Sequence, residues 1–145
     1  MLFTATDLHY IAPTLTDNGA LFTDLIEQGD GKAMAYSDAL IEAFVAQVIA
    51  EKPDALILSG DLTFNGELAG HKALAAKLEA FEKESGIQVI VVNGNHDVNN
   101  YNGVTFKNGV KESGEVTSPE AFREIYKNLG RDLVTDEKED VFTPP

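Results

Sequence analysis

Ile87-Gln88-Val89-Ile90-Val91-Val92-Asn93-Gly94-Asn95-His96-Asp97 is the stretch on which the fold turns. Its first six residues are β-branched and largely apolar on both faces, the pattern of a strand buried inside a parallel sheet. It then breaks into a polar, glycine-bearing cluster. Working back, Leu74, Leu78 and Phe81 mark the inner face of a helix over roughly 68–84, with Ser85-Gly86 as its stop. Before that helix, Ala55-Leu56-Ile57-Leu58-Ser59 is an apolar run too short for a helix and reads as a second, fully buried strand. It ends in Gly60-Asp61, and residues 60–66 read as a turn-rich loop.

A further helix precedes it. Leu40, Ile41, Phe44, Val45, Val48 and Ile49 repeat at helical spacing between Ser37-Asp38 and Lys52-Pro53. Leu2 to Thr6 reads as a first buried strand, closing on Asp7-Leu8-His9. Residues 11–32 read as a long loop around a short helical turn near Leu21–Ile26. The alternation of strand, helix, strand, helix, strand implies parallel pairing with right-handed crossovers. Beyond Asp97 the expectation is polar loop over 99–103 and 107–114. A last helix is expected from Pro119 to Leu129, with Ser118 as N-cap and Gly130 after the end.

Composition narrows the function. The 145 residues carry 24 Asp or Glu against 11 Lys or Arg, a formal net charge of -13. Such a chain is not built to grip nucleic-acid phosphates or an anionic membrane surface. No stretch approaches the roughly 20 apolar residues of a membrane span. Without cysteine there is no disulfide, thiolate metal site or thiol nucleophile, and no reading of redox compartment. Residues 1–7 show no basic n-region or apolar h-region, so no signal peptide is expected. The default compartment is cytoplasmic, or exported if a leader has been lost upstream of Met1.

Each strand therefore ends in a polar cluster: Asp7-Leu8-His9, Ser59-Gly60-Asp61 and Asn93-Gly94-Asn95-His96-Asp97. Open parallel α/β sheets bind ligands outside the carboxyl ends of their strands, so all three clusters face one rim. Asp7 and His9, two apart in extended chain, share a face and can grip one cation. Asp61 has two carboxylate oxygens and can bridge to a second, and Asn95 supplies a neutral carbonyl oxygen. Carboxylate, imidazole and amide ligands together suit Mn, Fe or Zn better than Ca. Two such ions about 3.5–4 Å apart clamp a phosphoryl group and lower the pKa of a bridging water.

The ordered set D-x-H, G-D, G-N-H-D resembles the calcineurin-like metallophosphoesterase superfamily. Asp61-Leu62-Thr63 followed by Gly66-Glu67 is similar to its class III cyclic-nucleotide phosphodiesterase branch, where G-D-L-T precedes a G-E. The likeness covers roughly the first hundred residues. It implies that Asp7 and His9 bind the first metal, Asp61 bridges both, and Asn95 binds the second metal and the phosphate. It further implies that His96 is the catalytic histidine, next to the scissile ester oxygen, with Asp97 orienting its ring. The implied fold is the βαβαβ front half of a four-layer α/β/β/α sandwich, with core 1–97 and a loop-and-helix insertion over 98–145. The implied substrate is a small-molecule phosphodiester or phosphomonoester, attacked by a metal-activated hydroxide.

One departure matters. The family pattern continues with a lone histidine and a G-H-x-H motif, and here no histidine follows His96. The first metal would keep three protein ligands and the second two. The chain is thus expected to be the N-terminal portion of a longer enzyme, nearly inactive alone, holding one metal ion or none, and self-associating through uncovered sheet surface. The ending on Pro144-Pro145 supports that expectation.

A receiver-like phosphoaspartate protein needs an Asp closing strand three, where Asn93 stands. An aspartate-nucleophile phosphatase wants D-x-D in place of Asp7-Leu8-His9. A non-catalytic module on a truncated scaffold, binding metal or phosphate weakly, remains the alternative. His71 lies outside every strand-end cluster and reads as a solvated helix residue. Tyr101 reads equally as surface loop or pocket lining, and Asp136-Glu137-Lys138-Glu139-Asp140 as a solvated connection.

Overall fold

The computed structural model describes residues 1–29 and 33–134. The acidic run at 136–140 and the proline pair lie outside them. Strands β1 (Leu2–Ala5), β2 (Ala55–Ser59) and β3 (Gln88–Val92) form a parallel sheet in the order β1-β2-β3. They run in step: Phe3 sits beside Leu56 and Leu56 beside Val89, while Ala5, Leu58 and Val91 match one pair further on. Because no strand is shifted against its neighbour, all three carboxyl ends emerge at one level.

Helices α1 (Ala20–Glu27), α2 (Ser37–Glu51) and α3 (Leu68–Ser85) fill the connections. Right-handed crossovers between neighbouring strands in sequential order bring α2 and α3 to the same face of the sheet. The burial pattern agrees. Leu56, Leu58 and Val89 are fully buried with Leu74, Leu78 and Phe81 of α3 and with Ile41 and Val48 of α2. The opposite face is only partly covered, which is the uncovered sheet surface that the sequence leads one to expect in this chain. Leu2 of β1 is 64% exposed and Val92 of β3 is 51% exposed. Both belong to edge strands among the described residues, and a one-sided helix layer leaves their outer rows to solvent. For the same reason Leu40 and Ile49 of α2, expected inside, are exposed.

Local signals explain where the helices stop. Lys52 ends α2 and Gly86 ends α3, both in the left-handed region, the Gly86 N–H donating to the Glu82 carbonyl at 2.8 Å. α1 extends the expected turn at both ends. Helix α4 (Pro119–Ile125) starts as expected: the Ser118 Oγ accepts from the Ala121 N–H at 3.1 Å. It closes one turn early, and residues 126–130 fold back so that the Leu129 carbonyl accepts from the Val91 N–H.

The polar loop expected over 107–114 is instead a hairpin. Strands β4 (Val104–Lys107) and β5 (Val110–Ser113) pair antiparallel around Asn108-Gly109, with φ of 54° and 71°. Two successive positive φ values are what a tight two-residue hairpin demands, and Asn-Gly supplies them at least cost. Phe106 of β4 is buried against Phe22 of α1, ring centroids 5.4 Å apart. The hairpin therefore closes onto the core.

Candidate metal centre

The three loops leaving the sheet stay stitched together past its last residues. The Asp7 N–H donates to the Gly60 carbonyl, His9 N–H to Asp61 and Tyr10 N–H to Leu62, at 2.9–3.2 Å. This is a continuation of the β1–β2 pairing along a bent path. The bend has a backbone signature: Asp7, His9 and Asp61 have φ of 56°, 42° and 49°. Non-glycine residues held in the left-handed region cost free energy and persist where the surroundings over-determine them, typically at sites of function.

Here the side chains converge. One ligand atom from each of Asp7, His9 and Asp61 lies within 4.8 Å of the others. His9 Nε2 is 3.5 Å from Asp7 Oδ1. The other ring nitrogen, Nδ1, is buried with no hydrogen-bond partner among the described residues. An imidazole enclosed beside two carboxylates, with donor capacity left over, fits a divalent cation bound by nitrogen and oxygen. The residues present thus fit the group that the sequence implies.

His96 stands at the edge of this set. Its ring packs edge-on against His9, centroids 5.2 Å apart, and its backbone N–H donates to Asp61 Oδ1 at 3.1 Å. Its Nδ1 lies 3.2 Å from the Phe64 carbonyl, which can only accept, so Nδ1 carries the proton and Nε2 is the free nitrogen. The ring is oriented by that carbonyl and not by Asp97. The Asp97 carboxylate is fully buried and turned inward: Oδ1 accepts from Leu62 N–H and Thr63 N–H at 2.9 and 3.1 Å, Oδ2 from Gly94 N–H at 2.7 Å. It ties the β3 loop to the β2 loop. Asn95 is exposed on the turn between Gly94 and His96.

A profile of the calcineurin-like phosphoesterase family matches residues 4–142. The chain belongs to that family. Its α/β architecture is the front half of the metallophosphoesterase fold. Over 69 residues it is 36% identical to a "Probable cyclic nucleotide phosphodiesterase" of Ruthia magnifica subsp. Calyptogena magnifica, covering 47% of this chain and 28% of that relative. Over 46 residues it is 39% identical to a "cAMP/cGMP dual specificity phosphodiesterase" of Mycobacterium tuberculosis (strain CDC 1551 / Oshkosh), covering 32% of this chain and 14% of that relative. The matched stretch thus spans under a third of either relative. Among the described residues no helix is long and apolar enough to cross a membrane.

Two buried groups went unread in the sequence. Glu67 is fully buried, its Oε2 accepting from Asn65 N–H at 2.9 Å and its Oε1 from Val104 N–H at 3.2 Å. Burial pushes its carboxyl above the usual range, against the pull of those amides. His71, expected in solvent, is fully buried. The signal was there: it precedes Leu74, Ala75 and Leu78 by three, four and seven residues and so shares their stripe.

Burial depresses the His71 pKa below its usual 6.5, although the nearby Asp97 carboxylate pulls the other way. A histidine with a lowered folded pKa takes up its proton more readily unfolded than folded. Its contribution is therefore intact above about pH 6.5 and erodes as pH falls below it. Wild type should lose urea resistance more steeply than His71→Gln between pH 7 and pH 5. Parallel slopes would contradict the depressed pKa.

Proposed function

We propose that this chain carries the front part of a two-metal phosphodiesterase centre acting on small phosphodiesters, cyclic nucleotides foremost. The observation that carries the reading is the convergence of Asp7, His9 and Asp61 beside His96. The names of the two relatives favour a cyclic diester. Asp7, His9 and Asp61 would hold the first cation, with Asp61 and Asn95 contributing to a second, and Mn, Fe or Zn fit those donors. Bound ions of this kind supply Lewis-acid charge at the phosphoryl oxygens and lower the pKa of water.

The residues themselves do the positioning. Asn95, on the loop tip, offers its amide to the phosphate. His96, with Nδ1–H held by the Phe64 carbonyl, presents Nε2 to the ester oxygen, where an imidazolium protonated on both nitrogens would give its Nε2 proton to the departing alkoxide and return to the neutral Nδ1–H form. Asp97 acts behind them by fixing the loop.

With no histidine after His96, each cation is short of ligands from this chain. We infer that the competent centre draws on residues beyond those described. The 145-residue chain alone should then hydrolyse little and bind one metal ion weakly by isothermal titration; two tight sites would contradict this. In the full-length gene product, hydrolysis of bis-p-nitrophenyl phosphate and of cyclic AMP and GMP with added Mn2+ is expected. Absence of turnover on all three would overturn the enzyme reading. The ligand shortage favours one rival, a non-catalytic metal- or phosphate-binding module.

A further inference from the structure

Behind the candidate centre runs a buried polar chain that the proposed chemistry does not use. The Tyr126 hydroxyl lies 2.9 Å from His71 Nδ1. His71 Nε2 lies 3.0 Å from the Asp97 carbonyl oxygen and 3.1 Å from Thr63 Oγ1. A carbonyl only accepts, so Nε2 carries the ring proton and Nδ1 accepts from the Tyr126 hydroxyl. Thr63 in turn donates to Asp97 Oδ1 at 3.4 Å and accepts from Gly66 N–H at 3.1 Å. Thr63, His71 and Asp97 are fully buried and Tyr126 is 2% exposed.

Such a chain is expensive. A leucine and a phenylalanine would fill the same space between α3 and the turn after α4 with no polar group to desolvate. The ring contact between Phe122 and position 126, centroids 4.6 Å apart, would survive that exchange. What would be lost is the grip on the Asp97 carbonyl, one residue past His96. The neutral imidazole that this pattern needs is also the form that burial favours.

We propose that His71 and Tyr126 are positioning residues: they clamp the Asp97 carbonyl and thereby fix the loop that presents Asn95 and His96 to the substrate. The proposal rests on the phosphoesterase reading for its catalytic consequence only. Tyr126 orients the imidazole, the imidazole holds the peptide after His96, and Thr63 couples the same knot to the β2 loop carrying Asp61. A loop shifted by an ångström at His96 misplaces the proton donor and Asn95 while Asp7 and His9 stay in place.

The test uses Tyr126→Phe, which keeps the ring packing, with His71→Leu and His71→Gln, the last retaining an N–H near the Nε2 position. Amide hydrogen exchange on the 145-residue chain should speed up about fivefold to tenfold at Leu62, Thr63 and Gly94 in Tyr126→Phe and His71→Leu, with α3 and β2 amides unchanged. His71→Gln should restore most of the protection. In the full-length gene product, kcat on bis-p-nitrophenyl phosphate should fall by up to about 10²-fold with KM little altered. Exchange that rises uniformly, no change at those three amides, or a glutamine no better than leucine would overturn the clamp. If wild type turns nothing over, the phosphoesterase reading fails, and the exchange pattern still decides the clamp.

Discussion

Asp61→Asn should abolish metal binding and turnover while leaving the fold standing. Asparagine keeps the size and an acceptor oxygen for the His96 N–H, now received by Asp61 Oδ1 at 3.1 Å, so the tie between the β2 and β3 loops survives. What disappears is one of the two carboxylate charges in the group formed with Asp7 and His9. Loss of an outer partner alone costs about 10–100-fold in affinity or activity, and loss of a direct ligand should exceed that. Mn2+ titration of the chain and hydrolysis by the full-length gene product are the measurements. An asparagine variant that binds Mn2+ as wild type does would refute the assignment of Asp61. Asp61→Ala, which also removes the acceptor, should add a loss of stability that Asp61→Asn does not show.

Gly60→Ala should be strongly destabilising. Gly60 has φ +93°, and a methyl there would lie 2.7 Å from both Cα and N of Gly94. The obstacle is backbone, which has no rotamer to yield. Backbone strain of about 1–2 kcal/mol and overpacking of about 1–3 kcal/mol together threaten much of a stability that is usually about 5–15 kcal/mol. Gly94 approaches as closely from the other side, where a methyl would strike the Asp61 carboxylate and amide. Gly86→Ala is the control: φ is +71° but nothing lies within 4 Å, so only the conformational cost of about 1 kcal/mol remains. Urea midpoints for the two variants should differ clearly. Equal midpoints would show that the loops can part without loss.

The rim was legible because apolar runs end abruptly in Gly60-Asp61 and Gly94-Asn95-His96-Asp97, and a parallel sheet has a single carboxyl edge. Hydropathy could not reveal how much of each strand is covered. Leu2 and Val92 look as buried as Leu56, yet sequential strand order leaves their face open. The hairpin is marked by Asn108-Gly109 and by the alternation of Val104–Lys107, but Val110–Ser113 has one apolar residue and is exposed throughout, so it reads as loop. His71 was misjudged by polarity alone; its place on the Leu74–Leu78 stripe was the better guide. Asp and His tolerate the left-handed region better than most residues, but the residue types alone do not place that backbone at Asp7, His9 and Asp61, where it is imposed by the pairing of two loops. The inward turn of Asp97 likewise depends on where three amides of other loops lie.

The metal group draws Asp7 and His9 from the loop after β1 and Asp61 from the loop after β2, and only the in-step pairing of those strands brings them together. The chain entropy of closing the β1-to-β2 connection must be spent before Asp7 and Asp61 can meet at all. A metal ion held there would be a late arrival in folding, with almost nothing to grasp on an unfolded or half-formed chain. Its whole binding free energy would fall on the finished sheet, where mass action shifts the folding equilibrium toward the native form. Such an ion would slow unfolding without hastening folding, and its retention would record that the sheet has closed.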